Sequence, residues 1–182
     1  MKNIVLIGMR GSGKSSVGAI LADHFNRELI SMDALIVYEA GMTIPNIIEK
    51  FGWDRFREIE ARVCQKLAPI QGIVNSTGGG VVLNPENVKA LRKTGILVWL
   101  KVSIENTLKR IGDDPNRPSL TGVDSVKRDI IATYNEREKF YHNAAHYIVD
   151  TDNKSRQQIA EEIITLIEQQ GENILKDDIP VK

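Results

Sequence analysis

An α/β fold with a parallel sheet covered by helices on both faces is the class this sequence predicts, and three observations predict it. Five short runs read as buried strands: NIVLI (3–7), ELIS (28–31), IVNST (73–77), ILVWL (96–100) and YIVD (147–150). Segments with helical spacing of apolar residues lie between them. A glycine-rich turn joins the first strand to the first helical segment. Strands that are apolar nearly throughout belong in parallel sheets whose two faces are both covered.

Taken in chain order, the strand at 3–7 runs directly into GMRGSGKSS (8–16). Val17, Ile20, Leu21 and His24 then mark a helix that His24 closes, a position where a cation suits the helix dipole. After the strand at 28–31 comes Asp33, placed to cap a helix over ALIVYEA. Thr43 is the cap expected before IPNIIEKF, which Gly52 ends, and Ile59, Val63, Lys66 and Leu67 carry the next helix. The strand at 73–77 leads into Gly78, Gly79 and Gly80. Pro85 starts a helix over 85–94 that Gly95 stops. Residues 112–124, GDDPNRPSLTGVD, are an expected exposed loop of a length that is often functional. Ser155 and Gln158 have capping-box spacing ahead of IAEEIITLI, and residues 171–182 read as a tail. One domain over 1–170 accounts for this pattern.

The bulk numbers restrict function. With 182 residues and 42% apolar content the chain has enough material for a core without staples. Lys plus Arg equals Asp plus Glu at 24 each, so no global field draws in nucleic acid or an anionic membrane. No apolar run approaches the roughly 20 residues of a membrane span, and the apolar residues before Gly8 are too few for a signal-peptide core. A single cysteine, Cys64, rules out an intrachain disulfide and suits a reducing cytoplasm. With no evident apolar seam, a monomer is expected.

Gly8, Gly13, Lys14 and Ser15 satisfy the G-x-x-x-x-G-K-[ST] pattern, in the strand-then-helix context it requires. Glycines let consecutive N–H groups curl inward around phosphate oxygens, and the helix start adds its dipole. Gly11, Ser12, Gly13, Lys14, Ser15 and Ser16 are therefore the expected ATP-binding residues, with Lys14 on the β- and γ-phosphates and the Ser15 hydroxyl on Mg²⁺. This motif is silent about an acceptor.

Acceptor chemistry belongs beyond the carboxyl ends of the strands. Asp33 stands there, where it can bond a substrate hydroxyl, although a helix cap explains it better on spacing alone. Gly78 to Gly80 are either a flexible turn or bare backbone for a ligand to approach. Arg57 and Glu60 are spaced to pair on a solvated face, and Arg137 lies in a crowd of charges typical of an exposed one. Phe56 suits core or pocket, as does Trp53, while Trp99 reads as core. His142 and His146 are four apart, but Asn143 stands where a zinc-protease helix needs Glu. Cys64 reads as a small packing residue.

Taken together, GMRGSGKSS, SMDALI, FREIE, STGGG, NRPSL and REKFY occur in the order and spacing of the shikimate kinases, and the chain resembles that family from about residue 3 to 165. The resemblance implies a three-layer P-loop fold with strand order 2-3-1-4-5, a mobile lid at about 112–124, and transfer of the ATP γ-phosphoryl group to the 3-hydroxyl of shikimate with Mg²⁺. It implies that Arg57 and Arg137 bind the shikimate carboxylate, as guanidinium forks do, that Asp33 binds and orients the attacking hydroxyl, and that Gly78, Gly79 and Gly80 close the pocket. Arg117 corresponds to the lid arginine over the transferring phosphates, Arg110 to the adenine-contacting one, and the turn at Asp152 and Asn153 to the rest of the adenine site. The catalytic residues so implied are Lys14, Asp33 and Arg117. One departure stands out: Ser31-Met32-Asp33 replaces the family's Asp-x-Asp, whose first Asp helps hold Mg²⁺ through water. A sugar-acid kinase or a nucleotide-dependent switch are the alternative readings of the same phosphate loop.

Overall fold

In a computed structural model of the chain, residues 2–111 and 126–169 are described. The stretch expected as a lid, with Arg117 in it, and the expected tail lie outside them.

All five expected strands form: β1 (Asn3–Ile7), β2 (Leu29–Ser31), β3 (Val74–Ser76), β4 (Gly95–Lys101) and β5 (Tyr147–Asp150). They build one parallel sheet in the order β2-β3-β1-β4-β5, as the resemblance implied. Side chains alternate across a strand, so β1 feeds two cores. Val5 and Ile7 face α2 (Met32–Ala40), α3 (Ile44–Leu67), α4 (Pro85–Thr94) and α6 (Val126–Ala144). Ile4 and Leu6 face α1 (Lys14–His24) and α7 (Arg156–Gln169). A short helix, α5 (Ile104–Ile111), follows β4. Among the described residues no helix is long and apolar enough to cross a membrane.

Local chemistry explains the boundaries. Thr43 accepts from the Asn46 N–H at 3.4 Å, and Gly52 (φ 80°) breaks α3 into two helical pieces. Ser155 and Gln158 form the reciprocal capping box, with bonds of 3.2 and 2.9 Å. Gly95 does follow α4, but in extended conformation as the first residue of β4. A Cβ there would lie 2.6 Å from Val5 Cγ2, so close packing on β1 selects the glycine. Cys64 packs in the core and donates weakly to the Asn87 carbonyl (3.6 Å), and burial pushes its thiol up to about 12.

His146 joins β4 to the end of α6. Its N–H donates to the Leu97 carbonyl (2.8 Å), and its ring Nδ1 accepts from the Leu97 N–H (2.9 Å). Burial, with Arg92 and Lys2 nearby, lowers its pKa from 6.5 to about 4. A histidine that folds neutral contributes stability above its unfolded pKa, and the contribution is lost as pH falls toward the folded one. Unfolding free energy is therefore expected to decline between pH 6.5 and about 4. In denaturant titrations His146→Gln should flatten that decline; an unchanged slope would assign it to other groups.

Candidate active site

The donor side is built by the turn after β1. Gly8 has φ 144°, and a Cβ on it would meet the Leu100 carbonyl at 2.7 Å, so no other residue fits. Gly13 (φ 95°) caps α1 without any side-chain bond, leaving the helix N-terminus to an anion. The Lys14 ammonium is buried and donates to the Gly8 and Met9 carbonyls, both at 2.8 Å. Burial lowers its pKa to about 8 against the opposing pull of Asp33. Ser15 Oγ lies 3.4 Å from Ser76 Oγ at the end of β3.

Beside this loop, Arg110 on α5 donates to the Thr151 carbonyl (2.8 Å), to Thr151 Oγ1 (3.1 Å) and to the Gly11 carbonyl (3.4 Å). Asn153 stands in the same turn after β5 with φ 57°. Arg110, Gly11 and Thr151 are thus brought together, with Asn153 two residues farther along the same turn.

The acceptor side is a cavity of about 270 Å³ whose wall includes Asp33, Phe56, Arg57, Glu60, Gly78, Gly79, Gly80 and Arg137, with Met9 and Arg10 of the phosphate loop along one edge. Every expected acceptor residue lines this one space, and Trp53 forms part of its wall while packing against the core. Three expectations taken residue by residue are corrected. Asp33 is not the cap of α2: Ser31 accepts from the Ala34 N–H (3.3 Å), and Asp33 follows in the first turn with its side chain toward the cavity. Arg57 and Glu60 do pair, at 2.6 Å, but not on a solvated face, since Glu60 is 1% exposed. Arg137, in its crowd of charges, is 6% exposed.

Burial raises the pKa of Asp33 against the opposing charges of Lys14 and Arg57. It raises that of Glu60 as well, against Arg57. The Arg57 guanidinium also lies 5.0 Å from the Phe56 ring centre and 5.5 Å from that of Trp53, contacts that hold its plane in place. The three glycines now have a steric reason. A Cβ on Gly78 would stand 2.9 Å from Glu60 and 3.0 Å from Asp33, and one on Gly80 would overlap the Arg57 guanidinium. Two buried polar atoms of the wall, Glu60 Oε1 and Arg137 Nε, have no hydrogen-bond partner. Both atoms are therefore left available to a polar ligand in the cavity.

A family model for shikimate kinase matches residues 10–168. The chain belongs to the shikimate kinase family. The shikimate kinase of Caldicellulosiruptor bescii is 43% identical over 91% of this chain and 95% of its own length. That of Caldicellulosiruptor saccharolyticus is 44% identical over the same shares. The structure of the Acinetobacter baumannii shikimate kinase in complex with shikimate has a TM-score of 0.89 and 34% identity, covering 93% of this chain and 94% of that one.

For a shikimate kinase, sequence reasoning passed over four groups at the site. Arg10 pairs with the buried carboxylate of Asp129 on α6, tying the phosphate loop to that helix. Tyr141 donates to the Gly79 carbonyl. Ser76 stands beside Ser15. Spacing held the missed signal for two of them: Asp129, Arg137 and Tyr141 are eight and four residues apart, a single helical stripe.

Proposed function

We infer that this member of the family moves the γ-phosphoryl group of ATP to the 3-hydroxyl of shikimate, giving shikimate 3-phosphate and ADP. Kinase activity toward shikimate follows from the family; the roles of individual residues are our reading. The observation that carries it is the cavity in which Asp33, Arg57 and Arg137 face one another beside the phosphate loop. Arg57 and Arg137 take the planar carboxylate, with Glu60 bracing Arg57. Asp33 accepts the hydrogen bond of the attacking hydroxyl and orients its oxygen. The N–H groups at the head of α1, with Lys14, hold the transferring phosphates. Gly11, Ser12, Gly13 and Ser16 complete that cradle, and Arg110 and Asn153 flank the adenine. Arg117 supplies a further cation, as an arginine finger does. A cytoplasmic location and a monomeric state complete the reading, supported by the lone cysteine and balanced charge.

The donor set fits Mg²⁺ carried in by the nucleotide. Among the described residues no three His, Cys, Asp or Glu side chains gather into a metal cage. Ser15 and Ser76 offer hydroxyl oxygens, and Mg²⁺ needs one or two protein oxygens besides phosphates and its own waters. When bound, Mg²⁺ neutralises charge on the β- and γ-phosphates. Ser31, the register partner of Ser76, brings no charge to that end of the sheet. Asp caps a helix as well as Ser does, so Ser31→Asp should keep α2 intact and add a carboxylate there. Titration calorimetry of Mg²⁺ and ADP together is expected to show several-fold tighter metal binding in Ser31→Asp. Equal affinity would remove Ser31 from the metal's surroundings.

The reaction itself is tested by ADP release with ATP and Mg²⁺, alone and with shikimate, gluconate or nucleoside monophosphates. Stimulation by shikimate alone is expected. Equal rates with and without any acceptor would favour a nucleotide switch, and stimulation by gluconate a sugar-acid kinase.

A further inference from the structure

The carbonyls of the three-glycine loop are not satisfied in the same way. Gly78 accepts from the Val81 N–H (3.3 Å) and Gly80 from the Leu83 N–H (3.0 Å), both within the short 3₁₀ turn that follows. The carbonyl between them, that of Gly79, accepts from the hydroxyl of Tyr141, which comes from α6. Tyr141 is 1% exposed, and its ring stacks on Trp99 of β4 at 5.6 Å and 19°. Arg137 stands one turn before Tyr141 on the same face of α6. One buried hydroxyl therefore ties the glycine loop to the helix that carries the second carboxylate-binding arginine.

We propose that Tyr141 is a positioning residue of the acceptor site: its hydroxyl ties Gly79 to α6, one turn from Arg137, and sets the distance between two walls of the shikimate pocket. This rests on the reading of Arg137 and the glycine loop given above. A trans peptide points its N–H opposite to its C=O. Fixing all three glycine carbonyls therefore fixes the directions of the adjoining N–H groups. Without the hydroxyl, Gly79 can rotate about its flexible flanking bonds, and the loop is no longer held at a fixed distance from the helix that carries Arg137. The stack on Trp99 keeps the ring in place, because β4 is the central strand's neighbour and cannot yield. At the other end of the stripe, Asp129 holds Arg10 of the donor loop. The same helix thus anchors both halves of the site.

Tyr141→Phe keeps the ring and removes the oxygen. The expected result is a roughly tenfold rise in the shikimate KM, the effect of one buried bond to a polar group, with the ATP KM within about twofold of wild type. Loss of stability alone must not produce that split. Ala144→Gly, one turn farther along α6, supplies the control: it removes a buried methyl at the end of the helix without touching Gly79 or Arg137, and both KM values should stay at wild-type level. A shikimate KM unchanged in Tyr141→Phe, or raised equally in Ala144→Gly, overturns the proposal. Wild-type protein without shikimate-dependent ADP release overturns the functional reading itself, and with it this role.

Discussion

Arg137→Ala is expected to raise the shikimate KM by about a hundredfold while the ATP KM moves by less than about threefold, a scale set by losing one charged partner from a desolvated carboxylate contact. Arg137 is the cleaner of the two arginines to remove. Arg57 is locked to Glu60 at 2.6 Å, so its deletion would strand a buried carboxyl and mix folding with binding. Arg137 lies on the long helix α6 with 6% of its surface exposed, and its Nε is one of the orphaned atoms of the wall. Truncation there removes a donor that the protein itself leaves unsatisfied, so the missing bond should register in shikimate binding. Steady-state kinetics with each substrate varied in turn decide the matter. Equal changes in both KM values would place Arg137 in a general structural role.

The sheet was legible because buried parallel strands are read from runs of apolar residues, and each of the five runs lies in its own flanking chemistry. The phosphate loop was legible because its constraint is local: Gly8 and Gly13 hold positive φ within a few residues of Lys14. The acceptor site was not legible one residue at a time, for a physical reason. Arg57, Glu60 and Arg137 carry charges, and charges at helical spacing usually belong to solvated faces. What buries them is tertiary: the glycine loop from β3 folds over Glu60 and Arg57, and α6 returns across the sheet to bring Arg137 opposite. Only the set of motifs in order, matched as a family pattern, carried that long-range information. Ser31 shows the same limit from the other side. Its cap to Ala34 is a local bond, yet in sequence the neighbouring Asp33 is the stronger signal because it carries a charge. In sequence Tyr141 is only the end of a motif, since its partner Gly79 is 62 residues away.

Gly80→Ala is expected to displace Arg57 without deleting any charge, weakening shikimate binding at a stability cost that depends on pH. Gly80 has φ −101° and ψ 0°, a conformation open to alanine, so the backbone carries no strain in the variant. The added Cβ would overlap the Arg57 guanidinium, the end of a flexible side chain that can swing aside. Arg57 is then displaced from its place over Phe56 and Trp53 and from Glu60. The shikimate KM is expected to rise by about a hundredfold or more, while ATP binding, carried by the loop around Lys14, stays near wild type. The cost to stability depends on pH in a defined sense. Glu60 already has a raised pKa from burial, held back by Arg57, and losing Arg57 raises it further. A carboxyl raised above its unfolded value supports folding below that value and loses the support as pH rises through the folded one. The stability deficit of Gly80→Ala should therefore be small near pH 5 and grow toward pH 8, reaching about 1–3 kcal/mol for an unpaired buried group. Denaturant unfolding at the two pH values measures the deficit, and calorimetry with shikimate measures the binding. A variant that binds shikimate within twofold of wild type would mean that Arg57 does not hold the carboxylate where the cavity places it.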